Sequence, residues 1–300
     1  METPTLILLA LFAQTLLIIA LVLLVLRLKR TATKKEALGS RAKQKEEREE
    51  ILRGLENEEF KMFLQFVVDI KDNGIVSAEA LSRWETNNGI LPPGAYIDKM
   101  ERMGLISKHD FYMLELVCRQ LEKWKETPLR DLSISCNFTR ITLSEKNFVE
   151  RIEEIAQKYS FDKSKLTIEI TEDAIEKDTE VAQKNVSLLK ELGIKIYLDD
   201  LGSGYTSLAN LCDYPIDVVK IDRYILQKTN TPRGKSLFSG IVALAHSLNL
   251  LVICEGVETE EQNLLVSESD CDFIQGWYYS KPIPVAEAED FIEKHNFKYK

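Results

Sequence analysis

The chain has 300 residues, of which 45% are hydrophobic, and this is enough for a globular domain with a sizeable core. Its formal net charge is -9, which argues against DNA or RNA as a polymeric partner, because that function needs a broad basic surface. The five cysteines are scattered and contain no Cys-X-X-Cys pair, so they indicate free core thiols rather than a disulfide framework.

The first predicted element is an apolar helix over residues 5–26. This stretch carries no charged side chain, and its 22 residues would extend about 33 Å as an α-helix, enough to cross the hydrocarbon core of a bilayer. Basic residues follow at once, at Arg27, Lys29, Arg30, Lys34 and Lys35. Because of the positive-inside rule, we expect residues 1–30 to be a single-pass anchor in the inner (cytoplasmic) membrane, with the remainder in the cytoplasm.

Residues 31–58 are highly charged and free of proline. This composition predicts a charged linker, either a solvated helix or a partly disordered segment, of which we expect the helix. Apolar positions are too sparse in it to predict a coiled coil. The segment therefore separates the predicted anchor from a folded domain over residues 59–297.

Within that domain, apolar runs alternate with segments of helical spacing. The runs are continuous and rich in β-branched residues, which is typical of buried parallel strands. They lie at residues 76–84, 132–137, 166–170, 194–200 and 250–255. The pattern predicts an α/β fold, a (β/α)8 barrel of the TIM type, whose active site lies at the carboxyl-terminal mouth.

Acidic or amide residues accompany these runs, close to the predicted strand ends. They are Glu79, Asn137, Glu169, Asp199, Asp200 and Glu255. Several carboxylates converging on one barrel mouth would repel one another unless a cation neutralised them. Oxygen ligands suit hard cations such as Mg²⁺ or Mn²⁺. The sequence therefore predicts a divalent metal centre.

Seven motifs, in order along the chain, resemble those of EAL-domain phosphodiesterases, which hydrolyse cyclic di-GMP. They are Glu79-Ala-Leu with Arg83-Trp84, Asn137-Phe-Thr, Glu169-Ile-Thr-Glu172, the run from Asp199 to Leu208, Lys220-Ile-Asp222, Glu255-Gly-Val-Glu-Thr259 and Gln275-Gly276. The resemblance covers residues 60–297. It implies an enzyme with two Mg²⁺ or Mn²⁺ ions that converts cyclic di-GMP to linear pGpG.

The same resemblance implies roles for the metal-site residues. The first ion would be held by Glu79, Asn137, Glu169 and Asp199, and Asp199 would bridge to a second ion completed by Asp200 and Glu255. Lys220 would stabilise the attacking hydroxide or the charge that develops on the phosphorus. Glu255 is also a candidate base for the attacking water, so Glu79, Lys220 and Glu255 form the expected catalytic set.

Further roles follow for substrate and loop residues. Gln65 would meet a guanine, Leu81 would offer apolar surface beside the base, and Arg83 would bind phosphate through its planar fork. Glu258 and Gln275 would support the substrate or the metal-site loop. Glu172 would brace the loop from Asp200 to Ser207, which contains Gly202, Ser203 and Gly204. In the family this loop borders a dimer interface, so the resemblance implies a homodimer.

Each motif alone has a structural alternative. Glu79 could pair with Arg83, Lys220 could pair with Asp222, and Glu172 could cap the helix that follows it. Their joint occurrence at successive strand ends favours a site. Two functions then remain: a membrane-tethered phosphodiesterase, or a non-catalytic cyclic di-GMP receptor that signals through a partner. Because the chain keeps the whole metal set and the loop, we expect the enzyme.

Overall fold

A computed structural model describes residues 43–172, 174, 180–202 and 211–295, together with residues 14, 21, 26, 27 and 29. The chain divides into two units, residues 1–53 and 54–300. In the first unit, residues 43–53 are helical and carry an exposed ion pair between Lys45 and Glu49. The predicted anchor over residues 5–26 lies almost entirely outside the described residues. Among the residues that are described, no helix combines the length and the apolar character needed to cross a membrane.

The second unit is built around a closed barrel of eight strands, which confirms the predicted fold. In chain order the strands are β1 (Phe60–Asp69), β2 (Ile75–Thr86), β3 (Gly89–Leu91), β4 (Ser133–Phe138), β5 (Leu166–Thr171), β6 (Lys195–Leu201), β7 (Val218–Ile221), β8 (Leu251–Glu255), β9 (Phe273–Gln275) and β10 (Ile283–Pro284). The barrel order is β1-β2-β4-β5-β6-β7-β8-β9, and β9 pairs with β1 to close it. The short strands β3 and β10 extend the sheet beside β2 and β1.

One strand departs from the all-parallel pattern that a (β/α)8 barrel implies. Strand β1 runs antiparallel to both of its barrel neighbours, β2 and β9. The reason is the short connection over residues 70–74, where Asp69 donates its N–H to the Gly74 carbonyl at 2.8 Å. A turn of this length can join antiparallel strands, whereas a parallel pair needs a crossover of a dozen or more residues.

Helices surround the barrel in the described part of the second unit. They are α1 (Ile97–Arg102), α2 (Ile106–Trp124), α3 (Arg140–Leu143), α4 (Phe148–Ala156), α5 (Glu180–Glu191), α6 (Arg223–Lys228), α7 (Pro232–Ser247), α8 (Glu260–Ser267) and α9 (Ala288–Lys294). Helix α4 shows why they pack: Phe148, Val149, Ile152 and Ile155 are buried at helical spacing on one face. Side-chain hydrogen bonds cap the amino-terminal ends of several helices. For example, Thr259 and Gln262 form a capping box at the start of α8.

The barrel interior changes from apolar to polar within two residues along four of its strands, β1, β6, β7 and β8. Val67, Tyr197, Val218 and Ile253 form a buried cluster inside the barrel. Since strand side chains alternate between faces, the residues two positions away face the same interior. Those residues are Gln65, Asp199, Lys220 and Glu255. The apolar cluster therefore forms a layer beneath a polar layer at one end of the barrel.

A buried aspartate fixes the point where the chain leaves β4. Asp110 Oδ2 accepts hydrogen bonds from the Thr139 N–H at 3.1 Å, the Thr139 hydroxyl at 2.9 Å and the Thr142 hydroxyl at 2.6 Å. Asp110 lies on α2, so these bonds tie that helix to the segment that follows Asn137 by two residues. These hydrogen bonds therefore fix the segment directly after β4, the strand that carries Asn137.

We expect Asp110→Ala to lower the free energy of unfolding by about 3 kcal/mol, because three donors, two on half-buried Thr139 and one on buried Thr142, lose a charged acceptor. Chemical denaturation of the purified protein measures this change. Asp98→Ala, at an exposed position on α1, is the control and should change stability by less than about 0.5 kcal/mol. Equal effects of the two substitutions would contradict the anchoring role of Asp110.

Candidate metal centre and active site

Lys220 lies at the centre of the polar layer and is fully buried. Its Nζ is 2.7 Å from Glu255 Oε1, 2.8 Å from Glu169 Oε2, 3.1 Å from Glu79 Oε2 and 3.4 Å from Asp199 Oδ1. Burial lowers the pKa of Lys220, but the four carboxylates together raise it well above its usual value. The ammonium is therefore charged at neutral pH and holds four acids around one point.

The carboxylates form two groups that share one member. One oxygen each from Glu79, Glu169 and Asp199 lie within 4.8 Å of one another, and the same is true of Asp199, Asp200 and Glu255. All of these donors are oxygens, which suits hard divalent cations such as Mg²⁺ or Mn²⁺. Two adjacent oxygen sites with a common carboxylate fit a pair of ions. The residues present therefore fit the metals that the sequence predicts.

An irregularity in β6 lets two consecutive aspartates serve this centre. In a regular strand, neighbouring side chains point to opposite faces. Here the pairing of β6 with β7 shifts register between Leu198 and Leu201, and Asp200 has a positive φ of 62°. The Asp200 N–H donates to Asp199 Oδ1 at 2.9 Å. Aspartate tolerates this left-handed conformation better than most residues, and the bulge turns both side chains towards the second group.

The acidic residues crowd one another strongly. Burial, and then the charge of Glu79, raises the pKa of Glu169 to about 8. Burial, and then the charge of Asp199, raises the pKa of Asp200 to about 6. Burial also raises the pKa of Asp199 and of Glu255. With five carboxylates against one ammonium, the cluster favours a divalent cation that would neutralise the excess charge.

Glu79 differs from its neighbours because amide groups stabilise its charge. Burial raises its pKa, but the charge of Lys220 and hydrogen bonds from Gln275 and Asn137 bring the pKa below its usual value. Gln275 Nε2 lies 2.6 Å and Asn137 Nδ2 lies 2.7 Å from the carboxylate oxygens of Glu79. The Asn137 amide thus directs its N–H₂ to Glu79 and keeps its carbonyl oxygen for a metal. Glu79 itself lies in the middle of β2, not at its end, because β2 continues to pair with β1 and β3.

A cavity of about 250 Å³ opens over this centre. Four of the residues expected to support substrate line it: Gln65, Leu81, Glu258 and Gln275. Its wall also contains four residues that the sequence analysis did not assign: Arg223, Gly256, Gly276 and Trp277. Gly256 and Gly276 belong to the quoted motifs but received no role, whereas Arg223 and Trp277 directly follow motif residues, so adjacency was the signal that could have identified these two.

Arg83 does not line this cavity. It borders a second cavity of about 370 Å³ together with Phe63, Glu85 and Ile90. Its Nη1 donates to the Ser82 carbonyl at 2.8 Å, and its guanidinium carbon is 5.6 Å from the centroid of the Phe63 ring. Arg83 thus borders this second cavity, where burial lowers its pKa and the charge of Glu79 opposes part of that lowering. Its expected role stays a prediction.

Glu172 contacts the start of the loop that it was expected to brace. The Gly202 N–H donates to Glu172 Oε2 at 3.1 Å. Gly202 has a φ of 95°, and a Cβ added to it would lie 2.7 Å from Ile225 Cγ1, so both conformation and space require glycine there. Ser203 and Gly204, which belong to the same expected set, lie outside the described residues.

Comparisons with known proteins agree with this architecture. Signaling protein YkoW of Bacillus subtilis is 34% identical over 259 residues, which cover 85% of this chain and 32% of that protein. Cyclic di-GMP phosphodiesterase NbdA of Pseudomonas aeruginosa is 31% identical over 251 residues, covering 83% of this chain and 32% of NbdA. The chain therefore spans about a third of the length of these two relatives.

A solved structure of the PaMucR phosphodiesterase in complex with c-di-GMP superposes with a TM-score of 0.76 at 28% identity, covering 80% of this chain and 98% of that one. The family profile described as EAL domain matches residues 48–282. A match over most of the chain, together with the barrel and its carboxylate centre, establishes that this protein belongs to the EAL domain family.

Proposed function

We propose that this chain hydrolyses cyclic di-GMP to linear pGpG with the aid of two divalent cations, Mg²⁺ or Mn²⁺. The observation that carries the proposal is the pair of oxygen groups that share Asp199 around the buried Lys220. The name of NbdA as a cyclic di-GMP phosphodiesterase and the c-di-GMP complex of PaMucR support the choice of substrate.

In this proposal, the chemistry that two cations would supply when bound is activation of the attacking water and neutralisation of charge on the attacking and leaving oxygens of the phosphodiester. Glu79, Asn137, Glu169 and Asp199 would hold one ion, and Asp199, Asp200 and Glu255 the other. Once cations share the carboxylates, the Lys220 ammonium can donate to the oxygen on which negative charge develops. Glu255 has a raised pKa and a half-buried side chain beside the cavity, so it is suited to accept a proton from the attacking water.

We expect turnover of cyclic di-GMP to disappear in excess chelator and to return with Mg²⁺ or Mn²⁺, but poorly with Ca²⁺, whose looser coordination suits a paired site badly. Glu79→Gln should lower turnover by about 100-fold, because it removes one charged ligand and keeps the shape of the side chain. Chromatographic separation of cyclic di-GMP from pGpG gives the rates.

Glu85→Gln is the matched control, since Glu85 lies on the same strand in an exposed position. It should leave turnover near that of the unmodified chain. Full activity in excess chelator would exclude a metal-dependent reaction. Tight binding of cyclic di-GMP without any turnover would instead favour the receptor function.

We also propose that Glu172 positions the loop after β6 and that the chain acts as a homodimer through that loop. Glu172→Ala should lower turnover by about 10-fold or more and raise the metal concentration needed for half-maximal activity, while nucleotide affinity changes less. Glu172→Gln keeps an acceptor oxygen for the Gly202 N–H and should retain more activity. Assays of turnover and melting temperature on the same samples test this.

Glu191→Ala, at an exposed position on α5, serves as the control. If Glu172 acted only as a helix cap, its replacement would cost about 1 kcal/mol of stability and leave the folded fraction active. Near-normal turnover with a reduced melting temperature would therefore refute the positioning role.

We further propose that residues 1–30 anchor the protein in the cytoplasmic membrane with the barrel in the cytoplasm. The support is the uncharged run over residues 5–26 followed by basic residues. A reporter fused after Lys300 should behave as cytoplasmic, and deletion of residues 1–30 should release the protein from membranes. A truncated chain that still sediments with membranes after a salt wash would show that this segment is not the only anchor.

A further inference from the structure

The rim of the carboxylate cavity carries an exposed indole. Trp277 lines the cavity and is 56% exposed, although tryptophan is a large apolar residue. The other two tryptophans of the chain, Trp84 and Trp124, are buried at 6% and 2% exposure. The exposed indole therefore stands at a position where the cavity meets solvent.

The backbone on both sides of Trp277 is hydrogen-bonded to the backbone of Val257. The Val257 N–H donates to the Gln275 carbonyl at 3.4 Å, and the Tyr278 N–H donates to the Val257 carbonyl at 3.0 Å. A Cβ added to Gly276 would lie 2.1 Å from the Val257 carbonyl oxygen, so the chain approaches too closely for any other residue. The backbone that carries Trp277 is thus held in place and loses little freedom when the cavity binds a ligand.

The ring also lies beside a cationic side chain. Lys281 Nζ lies 5.0 Å from the centroid of the Trp277 indole, within the range of a cation–π interaction. Leu81 lines the same cavity. The cavity therefore combines carboxylates that suit metal ions and a phosphodiester with an apolar side that suits the face of a ring.

We propose that Trp277 stacks on a purine base of the dinucleotide and so contributes to the affinity for it. The inference rests on the proposed function, because it takes the phosphodiester to lie over the carboxylates of the same cavity. A nucleobase fits this surface because its face is apolar and polarisable, and stacking on an aromatic side chain stabilises it without a hydrogen bond. Trp277 then acts in binding and leaves the chemical step to the metal centre.

Fluorescence tests the contact directly, since Trp277 is the exposed member of the three tryptophans. Cyclic di-GMP, titrated in Ca²⁺ to limit turnover, should quench the emission of the unmodified chain. Ribose 5-phosphate, which lacks a base, should not. Trp277→Phe should remove the quenching, whereas Tyr278→Phe should keep it. Tyr278 is the matched control, because it is 41% exposed beside Trp277 and does not line the cavity.

Kinetics in Mg²⁺ provide the second readout. Trp277→Ala should raise KM for cyclic di-GMP about 10-fold, in line with the loss of one base stack. Its kcat should stay within about twofold, as expected when binding alone is lost. Trp277→Phe should recover most of the affinity, and Tyr278→Ala should change neither constant.

The outcomes separate this inference from the proposed function. Normal turnover, no quenching and an unchanged KM in Trp277→Ala would overturn the stacking contact alone. Quenching that depends on Trp277 in a chain without turnover would support the contact and overturn the hydrolytic function. Quenching by ribose 5-phosphate equal to that by cyclic di-GMP would also overturn the contact, because the base would then be irrelevant.

Discussion

The mouth of this barrel depends on one buried ammonium group, that of Lys220. Four carboxylates lie within 3.4 Å of its Nζ, so it fixes their mutual positions before any ion binds. Transfer of such charges out of water costs several kcal/mol per ion, and only close pairing can offset that cost. The excess of negative charge that remains is what makes the cluster suitable for divalent cations. Structural cohesion and metal affinity therefore have the same electrostatic origin.

This arrangement requires the strand register to be set correctly around the whole barrel. Lys220 and Glu255 each lie two residues beyond a member of the apolar layer, Val218 and Ile253 respectively. A shift of one residue in either strand would turn the charged side chain towards the surrounding helices. The apolar layer opposes such a shift, because its residues would lose their burial at the same time. The core beneath the site thus determines which side chains reach it.

Much of the barrel and of its polar layer could be predicted from the sequence, because continuous apolar runs and the residues at their ends report strand position directly. The antiparallel direction of β1 could not be predicted in this way. It depends on the short turn over residues 70–74, and this turn contains none of the motifs. Trp277 was missed because a lone exposed aromatic has no pattern of its own. Arg83 was expected at the substrate, yet its side chain hydrogen-bonds the Ser82 carbonyl beside another cavity. Arg83 lies within the paired part of β2, opposite Lys61, so strand spacing alone does not show which cavity its long side chain borders.

The bulge in β6 links the two carboxylate groups to the loop that follows. Asp199 belongs to both groups and Asp200 belongs to one. Two residues after Asp200, the Gly202 N–H donates a hydrogen bond to Glu172. Asp200 has a positive φ and lies two residues before Gly202, so the hydrogen bond from Gly202 to Glu172 holds the backbone next to the second group. Glu79 and Glu169 lie inside β2 and β5, where pairing with neighbouring strands holds them instead. Since Asp199 belongs to both groups, the backbone at the end of β6 supports a ligand of each oxygen site.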